Sequence, residues 1–338
     1  MSEARDGRLP WERGVPSLTL EGRLSEIEAH AAHIAAGAGA LLLELMNGPL
    51  EVEFKDRGKH DPVSKADRQA EEYLRQAIQA RFPDHAILGE EGKDTGPVGA
   101  EYTWVLDPLD GTTNYINGLP LFAVSVGVLR QGRPVAGAIW TPAGPSGAPA
   151  VYRAHAGGGA GIDGRRLRID ERAAIEALPV PRRLAAVPGG FGLTLGFAKP
   201  VRGHSGEPRT LGSIAVEAAL VSSGVLQYAI FWGPKIWDIA AGASIVREAG
   251  GSVLTRTHGR WHDLLIFQPQ RDRNDKLKPL REWSGPVIVG APPLAMTVAV
   301  SLQPTLLGRA FQLRRHPAVR RGLKLARAIR NDLGPPRG

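Results

Sequence analysis

The stretch from Trp104 to Tyr115, WVLDPLDGTTNY, constrains this chain more than any other, because a strand-forming run passes directly into two acids, a glycine and a helix start. Tyr102 to Leu106 has the aromatic and β-branched content of a strand. Asp107 closes it, Pro108 fixes the backbone, and Asp110 follows three positions on, so a turn can aim both carboxylates at one point and leave the Leu109 carbonyl available. Such a turn is a cation cradle. Gly111 permits close approach of the backbone, and a helix starting near Thr112 offers N–H groups and the positive end of its dipole to a phosphate. The plain alternative is a strand-to-helix turn with two solvated acids and a capping threonine.

Around this turn the chain alternates helix and strand signals. Ile27, Ala31, Ile34, Ala38, Leu42 and Leu45 recur at helical spacing from Ser25 to Met46, with Ser25 as N-cap. A second helix is predicted from Ser64 to Arg81, ended by Pro83, with Asp67 on the same face as Ala70 and Leu74. A carboxylate on an apolar face needs a partner, and a hydroxyl would serve. Ala123 to Leu129 and Pro134 to Trp140 read as a hairpin turning at Gln131-Gly132. Pro142 to Pro149 is a loop or the seam between two halves, and strand character resumes at Val151 to Ala154. Gly157 to Gly164 lacks the Lys and Ser/Thr of a phosphate loop and reads as a turn-rich connector. Strands at Leu184 to Val187, Leu226 to Trp232, Gly251 to Thr255 and Val287 to Val289 then alternate with helices at Gly212 to Ser223, Asp238 to Ala249 and Leu294 to Leu302. That alternation predicts helices packed on a sheet. The division expected is a lead-in at 1–24, an α+β half at 25–145, an α/β half at 146–302 and a tail at 303–338.

Composition narrows the chemistry. With 338 residues, 43% of them hydrophobic, the chain can bury a large core. It contains no cysteine, which removes disulfides, thiolate metal sites and a cysteine nucleophile and leaves oxygen ligands that favour a hard cation. The polar start, Met-Ser-Glu-Ala-Arg-Asp, has no apolar signal-like core, and no run of 18 apolar residues follows, so a cytoplasmic protein is expected. The net charge of +8 is concentrated at one end: residues 303–338 carry nine Lys and Arg against Asp332, leaving the first 302 formally neutral. From His316 to Leu333, Val319, Leu323, Ala326, Ile329 and Leu333 form a stripe with the basic residues elsewhere around the cylinder. This basic amphipathic helix would dock on its own body or a second subunit, or contact an anionic membrane or nucleic acid.

Two further segments complete the acidic set. Glu90 and Glu91 follow Ile87-Leu88-Gly89, and Asp238 follows Trp237 at the head of WDIAAGASIVREAGG. Singly, they read as an exposed acidic loop and as an N-cap. Together and in this order, WVLDPLDGTTNYIN, GEE, WDIAAGASIVREAGG and RTLGSIAVEAALVSSG (Arg209 to Gly224) resemble the motifs of the inositol monophosphatase family of lithium-sensitive, magnesium-dependent phosphatases, over roughly Ile27 to Leu302. That resemblance implies a layered α/β/α/β/α fold of the sugar-phosphatase type and a homodimer. It also implies that Glu90, Asp107, Asp110, Asp238 and the Leu109 carbonyl bind two or three Mg2+ ions, with Asp107 bridging two. Thr112, hydrogen-bonded to Asp67, would orient a water molecule that Glu90 helps to deprotonate. Gly111 and Thr112 would hold phosphate oxygens through their N–H groups, and Gly212, Ser213 and Phe231 would contact the rest of a small phosphorylated metabolite.

Two places depart from the pattern. Inositol-specific members carry an acid seven positions before the motif Asp, where this chain has Phe231 followed by Trp232, either strand-end core residues or an apolar wall for an aromatic group. Pro188 to Pro208 is short and Gly-rich where the family commonly inserts a helix. An inositol or related polyol phosphate is the substrate class expected. Histidinol phosphate, fructose 1,6-bisphosphate and 3′-phosphonucleotides are alternatives, as is a catalytically silent polyanion-binding or scaffold protein using the basic tail. His204, His258 and His262 read as surface or loop residues.

Overall fold

A computed structural model describes residues 19–47, 52–54, 62–169, 177–272 and 274–308. The lead-in before residue 19 and the amphipathic stripe from His316 to Leu333 lie outside the described residues. In chain order the helices are α1 (Leu20–Met46), α2 (Lys65–Arg81), α3 (Thr112–Ile116), α4 (Phe191–Thr194), α5 (Ile214–Ser222), α6 (Ile236–Glu248) and α7 (Pro292–Ser301). α1 starts five residues before the predicted N-cap because the Thr19 side chain, not Ser25, accepts the Gly22 N–H at 3.1 Å.

Seven strands from Ala86–Gly89 to Arg165–Leu167 form one sheet in which spatial order follows chain order. Only the first pair, Ala86–Gly89 with Tyr102–Asp110, is parallel. The predicted hairpin joins Ala123–Arg130 to Arg133–Thr141, and Gln131 and Gly132 take φ of 50° and 82°, the left-handed pair that a two-residue hairpin demands. The sheet continues through Ala150–His155, Gly159–Ile162 and Arg165–Leu167, so the boundary expected at 145/146 cuts through it. Gly157, Gly158 and Gly164 lie in the turns expected of this connector, and between those turns it also holds a paired strand, Gly159–Ile162.

A second, mixed sheet has six strands in the order Glu207–Arg209, Leu184–Ala186, Leu226–Lys235, Ser284–Gly290, Ser252–Thr257, Arg260–Asp263. α1 and α2 cover one face of the first sheet, α5 and α6 lie between the sheets, and α7 packs on the second, giving the α/β/α/β/α layering. One apolar core, around Ile34, Leu74, Trp104 and Trp140, lies under α1 and α2. The other, around Ile139, Ile230, Ile245 and Ile288, fills the space between the sheets. α1 is by length and composition apolar enough to cross a membrane, and its buried stripe from Leu24 to Leu42 packs on the first sheet. The segment 188–208 holds α4 and a strand, Leu195–Phe197, paired antiparallel with Leu302–Pro304. The boundary expected at 302/303 therefore falls within a paired strand.

α6 seats closely on the first sheet. Gly127 and Gly137 are cross-strand partners, and a Cβ on either would come within 2.6–2.7 Å of Ala240 or Ala241. Gly137→Ala, which meets the backbone of Ala241 and cannot be relieved by a rotamer change, should destabilise the protein by about 1–3 kcal/mol in urea titrations. Unchanged or increased stability would show that α6 has room to move.

Candidate functional site

Asp107 lies near the end of the strand Tyr102–Asp110 and is 2% exposed, its Oδ1 accepting the Leu109 N–H at 3.1 Å. The sheet ladder is interrupted between Asp107 and Asp110, so Pro108 and Leu109 bulge and both acids stay at the strand end. Gly111 follows at φ 94°, where a side chain would be strained and would press on Ser213. α3 begins at Thr112. The Thr112 hydroxyl lies 3.1 Å from the Leu109 carbonyl and 3.4 Å from Asp67 Oδ1, so the hydroxyl expected beside Asp67 is there. Asp67 is the third residue of α2 and is buried.

The second half supplies the rest. Asp238 is the third residue of α6, not its N-cap, and its Oδ2 accepts the Lys235 N–H at 2.8 Å. Ser213 caps α5 by accepting the Val216 N–H, and its hydroxyl donates to Asp110 Oδ2 at 2.7 Å. The Ala215 N–H donates to the same oxygen at 2.5 Å, so Asp110 from the first sheet neutralises the N-terminus of a helix in the other half. Asn114 of α3 donates to the carbonyls of Leu121 and Leu211 at 2.6 and 2.7 Å, fixing the turn at Gly212.

These acids share one electrostatic environment. Burial, followed by the charges of Glu90, Asp110, Asp238 and Asp67, holds Asp107 well above the ordinary carboxylate range. Burial and Asp110 do the same to Asp238, against the Lys235 N–H. Asp110 is pushed up to about 6 by burial, opposed by its bonds from Ser213 and Ala215. Glu217, buried behind the turn and accepting the Leu211 N–H at 2.8 Å, is pushed up to about 7, mainly by burial.

Among the described residues no three carboxylates or imidazoles are drawn tightly enough together to enclose a cation already. Asp110 and Asp238 each have an oxygen tied to backbone N–H groups, which fixes both carboxylates in place. A set of carboxylates raising one another's proton affinity, with a carbonyl and a hydroxyl and no sulfur or imidazole, suits a hard cation such as Mg2+.

The expected substrate contacts separate. Gly212 and Ser213 stand at the α5 turn against Asp110 and Asn114. Phe231 does not line the site: it is 3% exposed and belongs to the core between the sheets, and its neighbour Trp232 is the exposed residue, at 46%. The strand is buried on both faces from Leu226 to Phe231 and becomes exposed at Trp232 and Gly233, where it runs past the core. His204, His258 and His262 are exposed. Sequence reasoning missed Asn114, Glu217 and Glu71. Asn114 sits inside TTNY and Glu71 one helical turn after Asp67, which are the signals that were available.

The inositol monophosphatase family model matches residues 23–278. Fructose-1,6-bisphosphatase/inositol-1-monophosphatase of Aquifex aeolicus is 36% identical over 225 residues, 65% of this chain and 82% of that protein. Nus factor SuhB of Pseudomonas aeruginosa is 34% identical over 237 residues, 66% of this chain and 83% of its own length. The fold is shared with an IMPase/NADP phosphatase solved in complex with Mg2+ and phosphate, at a TM-score of 0.62 and 19% identity, covering 82% of this chain and 94% of the other. The chain belongs to the inositol monophosphatase family, a family of magnesium-dependent phosphomonoesterases.

Proposed function

We propose that this protein hydrolyses a small polyol or sugar phosphate monoester in a Mg2+-dependent reaction. The observation that carries the reading is the buried Asp107, whose proton affinity is raised by Glu90, Asp110, Asp238 and Asp67, a concentration of acids that bound cations would neutralise. Glu90, Asp107, Asp110, Asp238 and the Leu109 carbonyl would hold the ions. Bound there, Mg2+ would lower the pKa of water and neutralise charge on the phosphoryl group and the leaving alkoxide.

The chain's own groups account for the remaining requirements. The Thr112 hydroxyl, placed between Asp67 and the Leu109 carbonyl, accepts from the attacking water while its own proton is held toward Asp67 Oδ1. Glu90 takes up the water's second interaction as base. The N–H groups of Gly111 and Thr112 hold phosphate oxygens, and the Gly212-Ser213 turn, braced by Asn114 and Glu217, borders the leaving group. Without an acid at Phe231, fewer groups grip polyol hydroxyls, and a fructose 1,6-bisphosphate, histidinol phosphate or 3′-phosphonucleotide fits the same chemistry.

Phosphate release from a panel of inositol, sugar, histidinol and nucleotide phosphates, with and without Mg2+, tests the reading. Asp107→Asn and Asp238→Asn should each nearly abolish Mg2+-dependent turnover while leaving melting temperature unchanged or slightly raised, because each relieves carboxylate repulsion. A variant that kept most of its turnover would refute the assigned role. No Mg2+-dependent release from any substrate would favour a binding function for the basic residues of 303–338, in line with the relative named as a Nus factor.

Removal of the cation gives a second test. Asp110 at about 6 and Glu217 at about 7 bind protons more tightly folded than unfolded, so their contribution is fully present below about pH 4 and is lost as pH rises through those values. Melting temperature in EDTA should fall between about pH 4.5 and about pH 8, and Mg2+ should restore it most at the alkaline end. Glu217→Gln should flatten the upper part of that decline. A metal-free melting temperature that climbed across the interval would contradict the charge assignment.

A further inference from the structure

The loop Gly89-Glu90-Glu91-Gly92 carries Glu90 away from the end of the strand Ala86–Gly89, and its backbone is held from two opposite sides. On one side Glu71 of α2, 3% exposed, accepts the N–H groups of Glu91 at 2.8 Å and Gly92 at 2.7 Å, and is itself fixed by Arg75 Nε at 2.8 Å. On the other side Arg281, in the 3-10 turn Leu280–Glu282, donates Nη2 to the carbonyls of Gly89 and Gly92 at 3.2 and 3.3 Å. Its Nη1 pairs with Asp94 at 3.4 Å. The two glycines are required by this grip, since a Cβ on Gly89 would lie 2.6 Å from both Glu71 Oε1 and Arg75 Nη2, and one on Gly92 would lie 2.5 Å from Glu71 Oε1.

Glu90 and the carboxylates of Asp107, Asp110 and Asp238 are like charges near enough to act on one another, so repulsion works against holding Glu90 beside them. Glu71 alone holds only the amides of the loop's far end. Arg281 holds the carbonyls at both ends, and a planar guanidinium can span two carbonyls and a carboxylate at once where a lysine ammonium cannot. Arg281 also lies past residue 278, where the family match ends.

We propose that Arg281 is a positioning residue for Glu90, a backbone clamp that keeps the Gly89–Gly92 loop at the cleft against carboxylate repulsion and so sets the affinity for Mg2+. The proposal rests on the reading of Glu90 as a ligand. Arg281 is 31% exposed, so its replacement leaves both cores intact.

The test uses the full-length protein and its Arg281→Ala, Arg281→Lys and Lys278→Ala forms. Lys278 pairs with Glu282 in the same segment and does not touch the loop, so it serves as control. Two quantities are read: amide hydrogen exchange over residues 86–96 without divalent cation, and Mg2+ affinity by calorimetry. Arg281→Ala should speed exchange in that segment and weaken Mg2+ binding about 10-fold, with Arg281→Lys in between and Lys278→Ala like the parent. At saturating Mg2+, kcat should return to near the parent value. Unchanged exchange in Arg281→Ala overturns the clamp, and faster exchange with unchanged Mg2+ affinity overturns its link to Glu90. Should Arg281→Ala fail to fold, Arg281→Lys carries both readouts. Absence of any phosphatase activity in the parent would count against the proposed reaction alone, because exchange and metal binding are measured without substrate.

Discussion

Asp107 is buried with the charges of four other acids directed at it, and like charges in a poorly screened interior drive one another apart. The fold opposes that separation by tying each acid to a rigid element. Asp107 and Asp110 end a strand, Asp67 and Asp238 sit in the first turns of α2 and α6, and Glu90 follows a strand that is parallel to theirs. Backbone N–H groups hold an oxygen of Asp107, Asp110 and Asp238, which offsets part of the cost of burial and fixes the carboxylates in place. Two large apolar cores supply the stability that such a site consumes.

The same constraint explains why the two sheets need each other. The bonds that shape the cleft cross between them: Asp110 to Ser213 and Ala215, Asn114 to Leu211, Ser125 to the Trp237 carbonyl at 3.2 Å, and Arg281 to Gly89. Neither sheet on its own contains a complete set of acids. Coupling between folding and site assembly follows from this arrangement, since the core between the sheets and the bonds that shape the cleft depend on the same contact.

Much of this was readable in the residues. Helical spacing located α1 and α2, strand runs and Gln131-Gly132 located the central hairpin, and an acid on the apolar face of α2 announced a hydroxyl partner, which proved to be Thr112. What escaped was tertiary. Pro142 to Pro149 is rich in Gly and Pro and reads as a loop or a seam, yet the strands on either side of it pair with each other, so the boundary expected at 145/146 divides one sheet. Phe231 and Trp232 are both large and apolar, and how far the core extends along the strand decides which is buried. The Asp238 position, third in its helix, depends on Lys235, Ile236 and Trp237, none of which is a recognisable cap. Contacts made over long separations, such as Arg281 to Gly89, leave no local pattern.

Gly127 and Gly137 face each other across two strands and receive α6 where any other residue would hold it off. Asp238 lies two and three residues before the alanines that occupy this notch, and Asp107 pairs with Ser125 on one of the same strands. The gap between an acid of the first sheet and an acid of α6 is thus gauged by the absence of two methyl groups, neither of which would touch an ion or a substrate. The thickness of this packing therefore sets how far α6 carries Asp238 from the strand that bears Asp107, at two positions that lie outside the acidic set.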